Sequence, residues 1–156
     1  MIRYVIAVVF ATAMMSVAMP AVGDAAALNG ETQIESELAA IEEQANSLLY
    51  NEEIPASGVS GATREVTVSF PQESLTAEST TEVVLQQDSD APVTHVTYHV
   101  DGRVAGQYVI DAPLAATASS PTEPVTIEGD SDIDLQLQLE QTDTNQKVVV
   151  INRENR

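Results

Sequence analysis

The stretch IDLQLQLE, residues 133–140, decides the fold of this chain. Its isoleucine and three leucines occupy every second position and alternate with aspartate, glutamine and glutamate. Because successive side chains of a β-strand point to opposite faces of the sheet, this period of two predicts a strand with one buried face. After a polar turn at residues 142–145, the run VVVI at residues 148–151 has no polar alternation, which predicts a partner strand covered on both faces.

A second predicted hairpin precedes this one, with strands at residues 94–100 and 104–110 on either side of an Asp-Gly pair. A two-residue turn at that pair would mix apolar and polar side chains on each face. A three-residue connection pairs Tyr98 with Gly106 and keeps the faces separate. Since register follows the hydrophobic face, we predict the longer turn. It also lets the Tyr98 ring cover the bare backbone of Gly106.

Weaker strand signals complete a β-rich domain. Residues 66–70 alternate between apolar and polar side chains, and shorter apolar runs occur at residues 82–87 and 125–127. Residues 112–124 are rich in Ala, Ser, Thr and Pro, which predicts a loop. About seven short antiparallel strands predict a small sandwich of immunoglobulin-like architecture. A single curved sheet packed on a helix, as in pilin heads, is the alternative.

The region before the linker carries apolar side chains spaced by four, three, four and three positions, with glutamates on the other faces. This spacing predicts an amphipathic stem helix with a narrow apolar seam. The seam is the candidate membrane or partner interface and consists of Ile34, Leu38, Ile41, Ala45 and Leu48. It has two interpretations: it packs against the chain's own β-rich domain, or it contacts neighbouring copies or a partner stem.

The first twenty-two residues contain one charge, Arg3, and residues 4–22 contain none. As a helix, residues 4–22 are about 28 Å long, which is enough to cross a bilayer. The predicted fold is therefore an N-terminal transmembrane helix continuing into an amphipathic helix, then an all-β antiparallel domain. Arg3 favours a cell-membrane protein with a cytoplasmic N-terminus and an extracellular β-domain. A secretory signal peptide cut after Gly23 or Ala25 is an alternative.

These patterns divide the chain into five predicted parts. They are a membrane-spanning segment, a stem helix, a linker, a β-rich extracellular domain and a tail: residues 1–27, 28–51, 52–63, 64–152 and 153–156.

The chain is strongly acidic, with 24 acidic residues against six basic ones and a formal net charge of −18. This charge destabilises a compact state through self-repulsion. In molar salt the Debye length falls to about 3 Å and the repulsion largely disappears, so we expect a halophile's protein. A disordered acidic segment is the alternative, which the strand patterns argue against. The shortage of lysine and arginine excludes nucleic acid as a partner, and the absence of cysteine excludes disulfides.

The sequence contains no recognisable catalytic constellation or phosphate-binding loop, so we predict no enzymatic activity and no cofactor. His95 and His99 are the two histidines and lie about 13 Å apart along one predicted strand, too far to share a metal ion. Two Asp-Ser-Asp runs, at residues 88–90 and 130–132, lack the later ligands and distal glutamate of an EF-hand. We therefore predict no metal site.

Several short segments between residues 1 and 75 carry a family resemblance. They are Met1-Ile2-Arg3, Pro20-Ala21-Val22 at the end of the apolar run, Leu48-Leu49 at the end of the Glu-rich helix, and Gly61-Ala62-x-Arg64-x-Val66-Thr67-Val68. These segments are similar to those of one small haloarchaeal family, with no assigned activity, whose members accompany type IV pilus-like secretion components. The arrangement of a membrane helix, an amphipathic half and a β-rich head also resembles type IV pilins and pseudopilins.

The resemblance implies a non-enzymatic, membrane-anchored, pilin-like interaction protein that contributes to a type IV pilus-like filament or its secretion machinery. Its expected partners are the lipid bilayer, through residues 4–22, and other pilin-like subunits or secretion components. The resemblance supplies no catalytic or binding residues. The alternatives are a membrane-tethered extracellular β-sandwich that binds an unknown ligand, and a secreted domain whose signal peptide has been cleaved.

Overall fold

A computed structural model describes residues 2–56, 59, 61–74, 77–101, 103–129, 132–144 and 146–153, with helix side chains described for residues 6–10, 12–14 and 23–51. Residues 154–156 of the predicted tail and residues 130–131 of the second Asp-Ser-Asp run lie outside the described residues. The described residues contain one helix and eight strands. These are α1 Ile2–Asn51, β1 Thr63–Val68, β2 Thr80–Gln87, β3 Thr94–Val100, β4 Gly106–Ile110, β5 Leu114–Ala115, β6 Val125–Glu128, β7 Ile133–Gln141 and β8 Lys147–Arg153.

The strands form two four-stranded sheets. The first sheet has the strand order β1-β7-β8-β5, and the second has the order β4-β3-β2-β6. Every strand pair is antiparallel except β5 with β8, which is parallel. Apolar side chains from both sheets share one core. The predicted small β-sandwich is therefore confirmed, and a single curved sheet does not form. The prediction that the domain is antiparallel throughout is wrong, because β5 pairs with β8 in parallel.

The β3–β4 hairpin has the predicted register. Tyr98 is paired with Gly106, and Val96 is paired with Tyr108. A Cβ atom added to Gly106 would overlap the ring of Tyr98, so the ring lies directly over the glycine backbone as expected. The Tyr98 side chain is buried. The register of the hairpin follows from keeping the apolar face of β3 in the core.

The β7–β8 hairpin also follows its sequence pattern. The inward side chains of β7 are buried and alternate with half-exposed ones, and residues 148–151 of β8 are buried on both faces, as predicted. Val148 and Val150 form a small second cluster with Ala115 of β5. Strand β5 covers the second face of β8. The prediction of a loop over residues 112–124 is therefore wrong at residues 114–115, which pair with β8.

The prediction that the fold begins with a transmembrane helix is wrong. The predicted segments 1–27 and 28–51 belong to one helix, which runs without a break from Ile2 to Asn51. In the part of the chain that the structure describes, no helix is both long enough and apolar enough to cross a membrane. From Asp24 onward the helix carries carboxylates, which the core of a bilayer does not accommodate.

The apolar seam of α1 lies inside the sandwich core. Its five members are at most 1% exposed: Ile34, Leu38, Ile41, Ala45 and Leu48. The helix contacts β1 and β4, which are one edge strand of each sheet, and so closes one side of the sandwich. Each of the four large seam side chains stabilises the fold by about 1.5–3 kcal/mol through burial. The structure therefore supports the interpretation that the seam packs on the chain's own β-domain.

Candidate functional site

The N-terminal half of α1, residues 2–25, projects from the sandwich and is named here the projecting half. Its largest described side chains are apolar and exposed: Ile6 53%, Val8 62%, Val9 59%, Phe10 69% and Met14 71%. At a rise of 1.5 Å per residue, the projecting half is about 36 Å long. Apolar helix surface is normally buried, so these exposed side chains make the projecting half a candidate functional surface.

Small residues mark the point where α1 leaves the sandwich. Ala26 and Ala27 are buried, and the backbone N–H of Glu78 donates to the carbonyl oxygen of Ala26 at 3.2 Å. One turn earlier, a Cβ added to Gly23 would have no atom within 4 Å. Among the helix side chains that the structure describes, burial against the sandwich therefore begins at Ala26.

Two tyrosines of the second sheet donate hydrogen bonds to the part of α1 that packs on the sandwich. The Tyr98 hydroxyl donates to Glu35 at 2.9 Å, and the Tyr108 hydroxyl donates to Glu42 at 3.0 Å. Burial, together with the neighbouring Glu35 carboxylate, raises the pKa of the Tyr98 hydroxyl above its ordinary value of 10.0. Burial and Glu42 raise the pKa of Tyr108 in the same way. Both hydroxyls therefore stay protonated and donate to the helix across the neutral pH range.

Basic side chains also tie the helix to the domain. Arg103 pairs with Glu31 at 3.2 Å, and Arg64 pairs with Glu52 at 2.6 Å. These pairs are about one-third exposed, so each contributes at most about 1 kcal/mol. The Lys147 ammonium donates to two backbone carbonyls at the C-terminal end of the helix. Half of the six basic residues are thus used to position α1.

A cleft of about 600 Å³ lies at the C-terminal end of α1. Four segments that are distant in sequence form it: the helix end, the β2–β3 loop, the β4–β5 connection and the start of β8. Part of its lining is apolar, with Leu49, Pro92 and Pro113. Tyr50 also lines it and is 79% exposed.

The β2–β3 loop forms an acidic wall of this cleft. The Asp88 carboxylate accepts the backbone N–H groups of Asp90 at 2.7 Å and Ala91 at 3.2 Å, and it lies 3.2 Å from Nε2 of His95. The hydrogen bond from Asp90, followed by the one from His95, lowers the pKa of the Asp88 carboxyl. The loop therefore holds Asp88 as a carboxylate. Beyond the same loop lies a smaller pocket of about 420 Å³ that includes His95.

The whole domain matches one protein family. Residues 1–154 match the family described as a domain of unknown function, DUF7311. The chain belongs to the DUF7311 family. The match includes α1 and all eight described strands, so the projecting half and the cleft are parts of the same DUF7311 domain. No curated protein and no solved structure matches the chain.

The DUF7311 fold brings together only some of the residues that the sequence singles out. The five seam residues meet in the core, where they are closed to a partner. Residues 88–90 and His95 come together beside the cleft, whereas His99 lies further along the same strand. Across the described residues there is no group of three or more His, Cys, Asp or Glu side chains that could hold a metal ion.

The cleft itself is absent from the sequence-based predictions. Its walls come from residues about 100 positions apart, Leu49 and Lys147, and no local pattern links them. The one available signal is the Asp-Ser-Asp run at residues 88–90, which forms one wall.

Proposed function

We propose that this DUF7311 protein is a non-enzymatic, pilin-like interaction protein that contributes to a type IV pilus-like filament or its secretion machinery at the cell surface of a halophile. The observation that supports this proposal is the exposed, apolar projecting half of α1, joined to a β-rich head. The partners of the projecting half are the same segments of neighbouring copies, packed side by side.

The charge distribution favours copies of the chain as partners. All 24 acidic residues lie at Asp24 or beyond it, so the projecting half contains a single carboxylate, next to the sandwich, and residues 2–23 contain none. Copies that meet through residues 4–23 of this half bring uncharged segments together while their acidic heads stay apart. Molar salt screens the remaining repulsion between heads over a few ångströms. Association is therefore expected to strengthen as the salt concentration rises.

The size of the apolar surface favours many neighbours over a single pair. Burying a large apolar side chain stabilises by about 1.5–3 kcal/mol, so five side chains that are about two-thirds exposed represent about 5–10 kcal/mol per copy. Association costs on the order of 4–15 kcal/mol in lost freedom. An isolated pair is thus weak, and a helix with neighbours on several sides is stable, which is the arrangement in a filament.

Disulfide linking of introduced cysteines tests the proposal. The chain contains no cysteine, so one substitution reports on one position. Val9→Cys lies on the projecting half, and Val109→Cys is a matched control on β4 of similar exposure, 59% against 53%. In about 3 M KCl, oxidation is expected to link Val9→Cys copies into dimers and to leave Val109→Cys monomeric. Adding Phe10→Asp to Val9→Cys should reduce the linking.

Three results contradict the proposal, two from this experiment and one from the native cell. The first is equal linking of the two cysteine variants. The second is that Val9→Cys copies do not link and the wild-type chain floats with phosphatidylcholine vesicles in a density gradient. That combination would identify lipid as the partner of the projecting half. In the native cell, unchanged filaments and secretion after deletion of the gene would also count against it.

A ligand-binding module of the β-sandwich is the second candidate function. The cleft at the C-terminal end of α1 favours it, because its size is within the range of small-molecule sites.

A further inference from the structure

The cleft at the C-terminal end of α1 has no role in association through the projecting half. We propose that this cleft binds a guanidinium or alkylammonium group carried on an apolar stem, the chemistry of an arginine or lysine side chain. A volume of about 600 Å³ accommodates such a group together with its stem.

Acceptors without partners line the cleft. Within the described residues, the carboxylates of Asp90 and Asp111 make no hydrogen bond or ion pair; only their backbone N–H groups do. A guanidinium carries five N–H donors and no acceptor, so it satisfies this set. An anionic ligand is repelled by the same groups.

The lysine that lines the cleft does not neutralise these acceptors. Its ammonium donates to the carbonyl oxygens of Leu49 at 2.7 Å and Glu52 at 3.4 Å. A helix C-terminus carries a partial negative charge, so Lys147 is occupied by the end of α1. Three aspartates and this one lysine line the cleft, which leaves a formal charge of −2. The cleft therefore attracts a further cation.

The apolar part of the lining favours an organic cation over a metal ion. Leu49, Pro92 and Pro113 present hydrocarbon that a methylene stem can cover. The exposed ring of Tyr50 attracts a cation placed over its face. A metal ion such as Ca²⁺ needs several oxygen ligands at about 2.3–2.6 Å. Among the described residues, no group of three or more metal-ligating side chains supplies them.

Calorimetric titration of the full chain in about 1 M KCl tests the proposal. The probe is Nα-acetylarginine amide, and the matched control is Nα-acetylcitrulline amide, which has nearly the same shape without the charge. We expect the arginine probe to bind at least about tenfold more tightly than the citrulline probe. The peptide Ala-Ala-Arg-Ala-Ala separates the two sources of such a cation. Tighter binding of the peptide indicates a segment of a partner protein, and equal binding indicates a free small molecule.

Isosteric variants locate the binding. Asp90→Asn with Asp111→Asn is expected to weaken binding of the arginine probe about tenfold and to leave the citrulline probe unchanged. The control is Glu65→Gln with Glu128→Gln, which removes the same charge from exposed strand positions outside the cleft lining. This control should bind within about twofold of wild type, because distant surface charges are screened.

Three results overturn the proposal: no heat from the arginine probe, equal affinity for the arginine and citrulline probes, or equal weakening by the two double variants. The Phe10→Asp variant keeps this test separate from that of association. It changes the projecting half and is expected to bind the arginine probe as wild type does.

Discussion

Replacing Gly30 with alanine tests how closely α1 approaches the sandwich. Gly30 lies one turn after Ala26, at the point where residues 77–79 cross the helix. A Cβ atom at position 30 would lie 2.7 Å from the carbonyl oxygen of Glu78 and 3.2 Å from Cγ1 of Val100. Because the nearer atom belongs to the backbone, the crossing segment must move away from the helix to relieve the overlap.

Opposing effects set the magnitude for Gly30→Ala. Alanine is favoured over glycine in a helix interior by about 0.8–1 kcal/mol. Overpacking costs about 1–3 kcal/mol, and weakening the hydrogen bond between Glu78 and Ala26 adds about 1 kcal/mol. The expected net effect is a loss of about 1–3 kcal/mol in the free energy of unfolding. Gly23→Ala is the matched control, because its Cβ meets no atom within 4 Å and only the helix preference remains.

Urea unfolding in about 3 M KCl, followed by far-ultraviolet circular dichroism, measures both variants, and urea leaves the ionic strength unchanged. With a slope of about 1–3 kcal/mol per molar urea, a loss of about 2 kcal/mol lowers the midpoint by about 1 M. Gly23→Ala should have the midpoint of wild type or a slightly higher one. If Gly30→Ala unfolds at the same urea concentration as Gly23→Ala or above it, the close approach of helix and loop does not exist.

Four further changes have expected outcomes in the same unfolding assay, and the last is also followed by light scattering. Tyr98→Phe should destabilise the fold by about 1–3 kcal/mol, because Glu35 loses its donor. Because the folded-state pKa of Tyr98 is raised, its protonated hydroxyl stabilises the fold fully below about pH 10 and less at higher pH. The wild-type midpoint should therefore fall between about pH 10 and about pH 11, more steeply than that of Tyr98→Phe. Lowering KCl from about 3 M to about 0.1 M should lower the wild-type midpoint, because a net charge of −18 is then unscreened, and a constant midpoint would contradict salt adaptation. Deleting residues 2–24 should change the free energy of unfolding by less than about 0.5 kcal/mol and abolish association in light scattering; a large loss of stability would show that the projecting half supports the fold.

Local patterns predicted the parts of the fold whose partners are nearby in sequence. The alternation in residues 133–140 identified β7, and the unbroken run at 148–151 identified a strand covered on both faces. In the β3–β4 hairpin, the pairing of Tyr98 with Gly106 followed from the apolar face alone. In each case one periodicity determined both the element and its buried face, so little further information was needed.

Strand β5 could not be predicted, because two residues carry no periodicity. Its position depends on β8, with which Leu114 pairs, and on the buried hydroxyl of Thr94. That hydroxyl donates to the carbonyl oxygen of Ala112 at 2.8 Å and accepts the N–H of Leu114 at 2.9 Å. The cleft was also missed, because the segments that line it meet only after the helix has closed one side of the sandwich.

The error about the transmembrane helix has a different origin. An apolar run predicts that a helix is buried, but hydropathy does not identify the surroundings that bury it. The seam illustrates this: its spacing indicated burial correctly, and the structure supplied the two sheets as its partner. For the projecting half, the exposed side chains define the surface to be covered, and the cysteine experiment identifies what covers it.

The length of α1 makes the two proposed surfaces independent. Val9 on the projecting half and Tyr50 at the cleft are 41 positions apart in a continuous helix, which is about 60 Å. Screening in molar salt removes electrostatic coupling over that distance. Between them, the helix is fixed to the sandwich by its buried seam and by the hydrogen bonds from Tyr98 and Tyr108. The helix therefore has one arrangement on the sandwich, and a change at one end of it does not reach the other end. Cysteine linking at Val9 should consequently be the same with and without the arginine probe, and a probe that alters the linking would show that α1 moves relative to the sandwich.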